Sequence, residues 1–264
     1  MHPNVTQTRN VAPDVDLVGT YLPLPGLGVL PVNAFVLHAE KPVLIDTGVV
    51  ALRDATLPAI ERLIDPSTLA YIYLTHTDGD HVGALLPLLE KAPRARVVTT
   101  FLGMGKLGLA QAIGPERMLL LNPGQALDLG DRRLVVGRPP TFDAPETTWA
   151  RDSKTGALFS SDCFGAVLSK PHECAEAIPE AELEAGVIAW AGIDAPWFHL
   201  QRQEETRVKL AAISREAPPF VLGSHLPPAR GVTQRLVRHL DRASRTPPGE
   251  GPDQAALESL FRAA

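Results

Sequence analysis

Four short apolar runs along the chain each end in polar residues that can bind a metal ion. The runs are residues 42–45, 69–74, 157–160 and 219–223, and they lead into Asp46, His76, Asp162 and His225, respectively. Apolar runs of this length, bounded by turn residues, are typical of buried β-strands. Because loops at strand ends gather on one rim of a layered α/β fold, we expect these four side chains to lie close together.

Predicted helices alternate with these strands. They cover residues 51–64, 82–89, 204–214 and 232–243. In the first of them, Leu52, Leu57 and Ile60 lie on one face, as helical periodicity requires. A Pro/Gly-rich linker at residues 244–253 precedes an amphipathic segment at 254–264, which we expect to be helical. The pattern predicts an α/β protein.

Composition narrows the class of protein. The chain has 264 residues, of which 45% are hydrophobic, enough for a sizeable core. A net charge of -5 argues against nucleic-acid binding. The two cysteines, Cys163 and Cys174, provide no disulfide framework and fit a reducing compartment. The first ten residues do not resemble a signal peptide, and no apolar run reaches the roughly 18 residues of a membrane helix. We therefore expect a soluble, cytoplasmic protein that does not bind a membrane.

The loop after the second apolar run contains the densest cluster of potential metal ligands in the chain. It reads His76-X-Asp78-X-Asp80-His81, with four potential metal ligands within six residues. Imidazoles and carboxylates this close together repel and compete unless a cation lies among them. A helix N-cap would account for Asp80 but for neither histidine. Because the loop holds too many ligands for one compact site, the spacing favours two neighbouring metal ions.

This motif, the Leu-Ile-Asp46-Thr-Gly turn, Asp162 and Ser224-His225 together resemble the metallo-β-lactamase superfamily. The resemblance runs from about residue 32 to residue 228 and implies a four-layer αββα sandwich. Asp78 stands where the commonest superfamily motif has His. A carboxylate at that position, usually Glu, is typical of the flavodiiron and related diiron oxygen-binding proteins. Residues 158–165, LFSSDCFG, are also similar to that branch.

The resemblance implies a domain organisation and a ligand set. The metallo-β-lactamase-like domain would cover residues 1–243, with a linker and C-terminal helix at 244–264 and no flavodoxin domain. The implied roles are His76 and Asp78 for a first metal, Asp80, His81 and His225 for a second, Asp162 as the bridge, and Asp46 as the residue that orients the ligand loop through hydrogen bonds.

The family pattern supplies one more histidine to the first metal, within a Pro-X-X-His-Trp-like stretch. The comparable stretch here is residues 144–149, where Thr148 occupies the expected histidine position. Glu146 could substitute for it. Otherwise we expect weaker binding at the first site, an open coordination position, or a mononuclear protein.

Three functions are compatible with these residues. Oxygen-rich ligand sets with imidazole favour iron, although manganese and zinc are also accepted. The first hypothesis is a diiron protein that binds or reduces O₂ or NO, with electrons from another protein or from the partner subunit of a homodimer. The second is a metal-dependent hydrolase of an ester, thioester or lactone, although the charge of Asp78 would weaken the metals as Lewis acids. The third is a binding protein with a decayed first site.

Overall fold

Two β-sheets form the centre of the molecule. The computed structural model describes residues 7–110 and 113–263. The first sheet has seven strands in chain order: β1 Gln7–Ala12, β2 Val15–Leu24, β3 Gly28–Leu37, β4 Val43–Ile45, β5 Tyr71–Tyr73, β6 Arg96–Thr99 and β7 Met118–Leu120. It is antiparallel from β1 to β4 and parallel from β4 to β7.

The second sheet has six strands: β8 Ala126–Asp128, β9 Arg133–Gly137, β10 Trp149–Asp152, β11 Leu158–Phe159, β12 Phe220–Leu222 and β13 Ala229–Arg230. Its one parallel pair joins β11 to β12. The helices are α1 Arg53–Leu63, α2 Leu85–Lys91, α3 Phe101–Ala110, α4 Glu180–Asp194, α5 Gln203–Glu216, α6 Thr233–Ala243 and α7 Gln254–Ala263.

Three apolar clusters hold these layers together. One lies between the sheets, where Phe35 of β3 meets Phe159 of β11. A second packs α1 and α2 on the outer face of the first sheet. A third packs α4, α5 and α6 on the outer face of the second sheet. The four-layer αββα sandwich expected from the sequence is therefore confirmed.

The helix predicted for residues 82–89 begins later, at Leu85. The preceding residues are bonded to the turn after β4 instead: Gly83 N–H donates to the Gly48 carbonyl at 2.8 Å. A side chain at residue 83 would meet the backbone of Val49 at 2.3 Å, so this close approach requires glycine. The contact fixes the His/Asp loop against the Asp46 turn.

Residues 1–6, on which part of the expectation about a signal peptide rests, lie outside the described ranges, as does Ala264 of the predicted terminal helix. Within those ranges no helix combines the length and apolar character needed to cross a bilayer. The division of the chain at residue 243 stays a prediction.

Candidate metal centre

The four predicted strand ends meet at one edge of the sandwich, around the carboxylate of Asp162. One of its oxygens lies 3.4 Å from His76 Nε2. The other lies 3.2 Å from His81 Nε2 and 3.3 Å from His225 Nε2. All four side chains are buried. Asp162 thus lies between two groups of potential ligands, one on each oxygen.

The loop that carries Asp162 departs from regular backbone geometry. Ser161 adopts a φ of 55°, and Asp46, at the end of β4, a φ of 56°. Left-handed conformations are uncommon for residues other than glycine and concentrate at functional sites. Ser161 directly precedes Asp162, and Asp46 itself contributes a side chain to the centre.

The group on one side of Asp162 consists of Asp80, His81 and His225. His225 Nε2 lies 3.2 Å from Asp80, and His81 Nε2 lies 3.7 Å from it. Within the described residues, His81 Nε2, His225 Nε2 and Asp162 Oδ1 are buried atoms without a hydrogen-bond partner. Buried polar atoms are rarely left unpaired unless an ion or water pairs with them. Ligands about 2.1 Å from one metal ion lie roughly 3.0–3.4 Å apart, so these donor atoms suit a divalent metal.

Hydrogen bonds on the far side of each imidazole set its orientation. His225 Nδ1 donates to the Pro31 carbonyl at 2.8 Å, and His81 Nδ1 donates to Asp46 at 3.0 Å. Asp46 also accepts two bonds of 2.8 Å from Thr75, from its backbone N–H and its hydroxyl. Each bond leaves the Nε2 lone pair free for a metal, which is the usual arrangement of ligating histidines. The orienting contact expected of Asp46 is present in the structure.

The charges of this group attract positive charge. Burial opposes ionisation of His225, but Asp162 and Asp80 outweigh it and raise the pKa of His225 to about 9. Burial likewise disfavours the Asp80 carboxylate, yet His81 and His225 hold the pKa of Asp80 well below its ordinary value. The carboxylates therefore favour a positive charge at the point where the donor atoms converge.

The group on the other side of Asp162 consists of His76, Asp78 and Asp143, whose ligand atoms all lie within 4.8 Å of one another. Asp143 approaches His76 Nε2 to 3.9 Å. Burial raises the pKa of Asp143, and the nearby Asp162 and Asp78 add to that effect. Asp78 is more accessible: its side chain is 48% exposed and lies 3.3 Å from the ammonium group of Lys106.

Thr148, at the position where the family pattern has histidine, and Glu146, the possible substitute ligand, both make contacts with other side chains. The Thr148 hydroxyl hydrogen-bonds the Tyr73 hydroxyl at 2.7 Å. Glu146 accepts from Lys106 at 2.5 Å and from Thr77 at 2.9 Å. Neither belongs to a group of converging ligand atoms within the described ranges. Asp143 does belong to such a group, together with His76 and Asp78.

Sequence reasoning missed Asp143, although a signal was present. Residues 140–143, Pro-Thr-Phe-Asp, have the Pro-X-X spacing of the family pattern, with Asp in place of His. Trp149 instead favours Thr148 as the counterpart of the family histidine. A second missed residue is Asp194 at the end of α4, whose carboxylate lies within 4.8 Å of those of Asp143 and Asp162. Burial, together with these two carboxylates, raises the pKa of Asp194 to about 8.

The αββα fold and the carboxylate between two ligand groups define a metallo-β-lactamase-like metal domain. A family model described as "ODP family beta lactamase" matches residues 30–186, more than half of the chain, and the chain belongs to this family. The resemblance to the flavodiiron branch expected from the sequence is confirmed.

Relatives and solved structures agree with this placement. A putative diflavin flavoprotein A 1 of Nostoc sp. is 32% identical over 134 residues, which are 50% of this chain and 23% of that protein. Rubredoxin-oxygen oxidoreductase of Megalodesulfovibrio gigas is 26% identical over 205 residues, which are 76% of this chain and 50% of that protein.

Two solved structures share the fold. Rubredoxin oxygen:oxidoreductase from Desulfovibrio gigas superposes with a TM-score of 0.79 at 22% identity, covering 91% of this chain and 62% of that one. The flavodiiron protein from Giardia intestinalis has a TM-score of 0.79 at 20% identity, covering 92% and 60%. The alignments with the first curated relatives span only about a quarter of their length.

Proposed function

We propose that this chain holds two iron ions and binds or reduces O₂ or NO. The observation that carries the proposal is the position of Asp162, which offers one oxygen to each of two groups of ligand atoms. A shared carboxylate between two metal ions is what a dinuclear centre requires. The flavodiiron relatives support iron as the metal.

The proposed ligand set follows from the two groups. His76, Asp78, Asp143 and Asp162 would hold the first ion, and Asp80, His81, His225 and Asp162 the second. The first group has one imidazole and three carboxylates, and thiolates are absent from both. Such oxygen-rich sets suit iron or manganese better than zinc. A pair of ferrous ions, when bound, supplies electrons to O₂ or NO.

Residues around the ligands keep the second group rigid and dry. The Trp190 ring packs against the His225 imidazole with ring centroids 4.5 Å apart, and its indole N–H donates to the Asp162 carbonyl at 3.1 Å. Asp46 holds His81 in one tautomer through the bond to Nδ1. These contacts restrict the imidazoles to one orientation and exclude water from their apolar side.

The hydrolase hypothesis loses the observation that supported it. It drew support from an open coordination position at Thr148 for the attacking water, and Asp143, 3.9 Å from His76 Nε2, would fill that position in the ligand set proposed here. A further carboxylate also raises the pKa of water bound to a metal, which weakens hydrolytic catalysis. We therefore favour the redox hypothesis over the hydrolase hypothesis.

Repeated reduction of O₂ or NO needs an external source of electrons. The relatives' names mention flavin and rubredoxin, and we propose an electron donor of this redox class, provided by a group outside residues 7–263. A homodimer and a cytoplasmic location stay predictions.

A single-turnover experiment tests the proposed function. The protein is loaded anaerobically with two Fe²⁺ per chain and mixed with O₂ or NO in a stopped-flow spectrometer with a gas electrode. We expect consumption of the gas together with oxidation of iron, and loss of both in Asp162→Ala. A protein that takes up zinc and hydrolyses aryl esters, with the activity lost in Asp80→Ala, would contradict the proposal.

A further inference from the structure

A buried asparagine of the first sheet holds the loop that carries His225. Asn33 lies in β3 and is 4% exposed. Its side-chain amide donates to the Gly223 carbonyl at 2.9 Å and to the Leu226 carbonyl at 2.8 Å. Its backbone N–H donates to the Ser224 carbonyl at 2.9 Å. Both hydrogens of the side-chain amide are therefore used, and the three acceptors lie within two residues of His225.

The choice of asparagine at this position has a physical reason. β3 reads GVLPVNAFVL, with Asn33 as its one polar side chain, although asparagine is disfavoured in strands. The three accepting carbonyls belong to buried residues that follow the end of β12 at Leu222. Buried carbonyls need a donor, and one asparagine amide supplies two. An apolar side chain at position 33 would leave two loop carbonyls without these donors.

The second metal site takes its ligands from both sheets. Asp80 and His81 follow β5 of the first sheet, whereas Asp162 and His225 follow β11 and β12 of the second. The 3.2 Å between His225 Nε2 and the Asp80 carboxylate therefore depends on how the two sheets are joined at this edge. Asn33 makes such a joint, because it belongs to the first sheet and bonds the His225 loop of the second.

Other bonds hold the His225 loop within its own sheet. The Ser224 N–H donates to the Ser161 carbonyl at 2.9 Å, and the Ala166 N–H donates to the His225 carbonyl at 2.8 Å. Both bonds lead to the segment around Asp162. Loss of the Asn33 side chain should therefore leave the loop beside Asp162 and loosen it from the first sheet.

The ring of His225 depends on the same strand. Its Nδ1 donates to the Pro31 carbonyl of β3 at 2.8 Å. On the opposite side of the ring, Nε2 is one of the buried atoms without a hydrogen-bond partner in the described part of the chain, as is His81 Nε2. A shift of the loop away from β3 would move His225 Nε2 from the point where the donor atoms converge.

We propose that Asn33 is a positioning residue of the second metal site, which holds His225 at the distance from Asp80 and His81 that a metal ion requires. The inference rests on the proposed function and concerns the geometry of one of its two sites. Asn33 acts through the backbone of residues 223–226 and does not touch the ion. Because ligands that are held in place bind metal more tightly, its loss should weaken the second site and spare the first.

Zinc titration of Asn33→Ala tests this proposal without any measurement of activity. Zn²⁺ accepts imidazole and carboxylate ligands, and metal-free protein competes for it with a fluorescent chelator. We expect one affinity to fall on the order of 10- to 100-fold and the other to stay unchanged. Thr233→Val is the control, because it removes another buried side-chain bond to a carbonyl, 2.7 Å from Pro218 in the unchanged protein. It should lower the unfolding temperature and leave both affinities unchanged.

Nuclear magnetic resonance identifies the site that is weakened. In the zinc-loaded protein, the Nδ1 proton of His225 is bonded to Pro31 and that of His81 to Asp46. Asn33→Ala should speed the exchange of the His225 proton with water and leave that of His81 unchanged. Asn33→Asp, which fills the same volume but replaces the donor group by an acceptor, gives the same test if the alanine variant folds poorly.

Failure of this proposal is distinguishable from failure of the proposed function. If the unchanged protein binds two Zn²⁺ and Asn33→Ala binds both with unchanged or equally reduced affinity, Asn33 supports the fold alone, and the dinuclear function stands. Equal exchange of the His225 proton in the two proteins would likewise overturn the positioning role. If the unchanged protein binds fewer than two Zn²⁺, the dinuclear function fails, and the His225 proton still decides the role of Asn33.

Discussion

The two ligand groups share Asp162 but differ in how firmly their other side chains are held. In the second group, His81 and His225 have side chains that are 1% exposed, and each is fixed by a hydrogen bond to Nδ1. In the first group, the Asp78 side chain is 48% exposed and forms an ion pair with Lys106, whose side chain is 45% exposed. Preorganised ligands bind metal more tightly. We therefore expect a tight second site and a weaker, exchangeable first site.

The largest effect should come from the residue that the two groups share. Asp162→Ala removes an oxygen from both sites, so metal content should fall from two ions per chain to none. Plasma emission spectroscopy on protein reconstituted with Fe²⁺ measures this directly. Full retention of one ion would contradict the bridging role. Asp241→Asn serves as a control for the loss of one negative charge.

A pair of variants tests which residue completes the first group. Asp143→Ala should lose the first ion and keep the second. Thr148→Val should keep both ions but lower the free energy of unfolding by about 1 kcal/mol, since it removes one hydrogen bond of the Tyr73 hydroxyl and leaves the 3.3 Å bond to the Trp149 carbonyl. Metal content and urea unfolding measure the two effects. If Thr148→Val loses an ion and Asp143→Ala does not, Thr148 rather than Asp143 completes the first group.

A change at Asp46 should weaken metal binding at the second site and leave the first site unaffected. Asp46→Asn keeps the shape of the side chain but weakens its hold on His81, so second-site affinity should fall on the order of 10- to 100-fold. Competition with a fluorescent chelator measures both affinities. An equal loss at both sites would show that Asp46 supports the fold of the loop rather than one imidazole.

The smallest effect concerns the ammonium group near Asp78. Lys106 competes with a metal ion for this carboxylate at 3.3 Å. Because Glu146 is buried and paired with Lys106, the test uses the double variant Lys106→Met, Glu146→Gln. Exposed ion pairs contribute at most about 1 kcal/mol, so first-site affinity should rise by no more than about fivefold. A fall in affinity in the same chelator assay would show that Lys106 supports the site.

The sequence predicted the second group more completely than the first, for a physical reason. Asp80, His81, Asp162 and His225 lie in loops directly after short apolar strands, and such runs are visible as patterns. Parallel strands then bring their ends together at one edge of a sheet. The alternation of strands and helices predicted an α/β protein, and the resemblance to the metallo-β-lactamase superfamily implied its four αββα layers.

The residues that were missed do not directly follow a short apolar strand. Asp143 is in the irregular segment between β9 and β10, and its position depends on loop conformation. Asp194 ends α4, 32 residues after Asp162, and reaches the centre only through the packing of α4 on the second sheet. Lys106 approaches Asp78 from α3. The contacts of Lys106 and Asp194 arise from tertiary packing, so spacing along the chain does not reveal them, whereas Asp143 left a local signal in the Pro-X-X spacing of residues 140–143.

Mössbauer spectroscopy of protein reconstituted with ⁵⁷Fe tests the central claim most directly, namely that Asp162 joins two unequal iron sites. We predict two irons per chain and, in the oxidised protein, two quadrupole doublets of equal area with different parameters, because one site has two imidazole ligands and the other has one. The same sample should give no low-temperature paramagnetic signal, since the spins of the two ferric ions couple through their bridge. A single iron per chain with an isolated ferric signal would contradict the account.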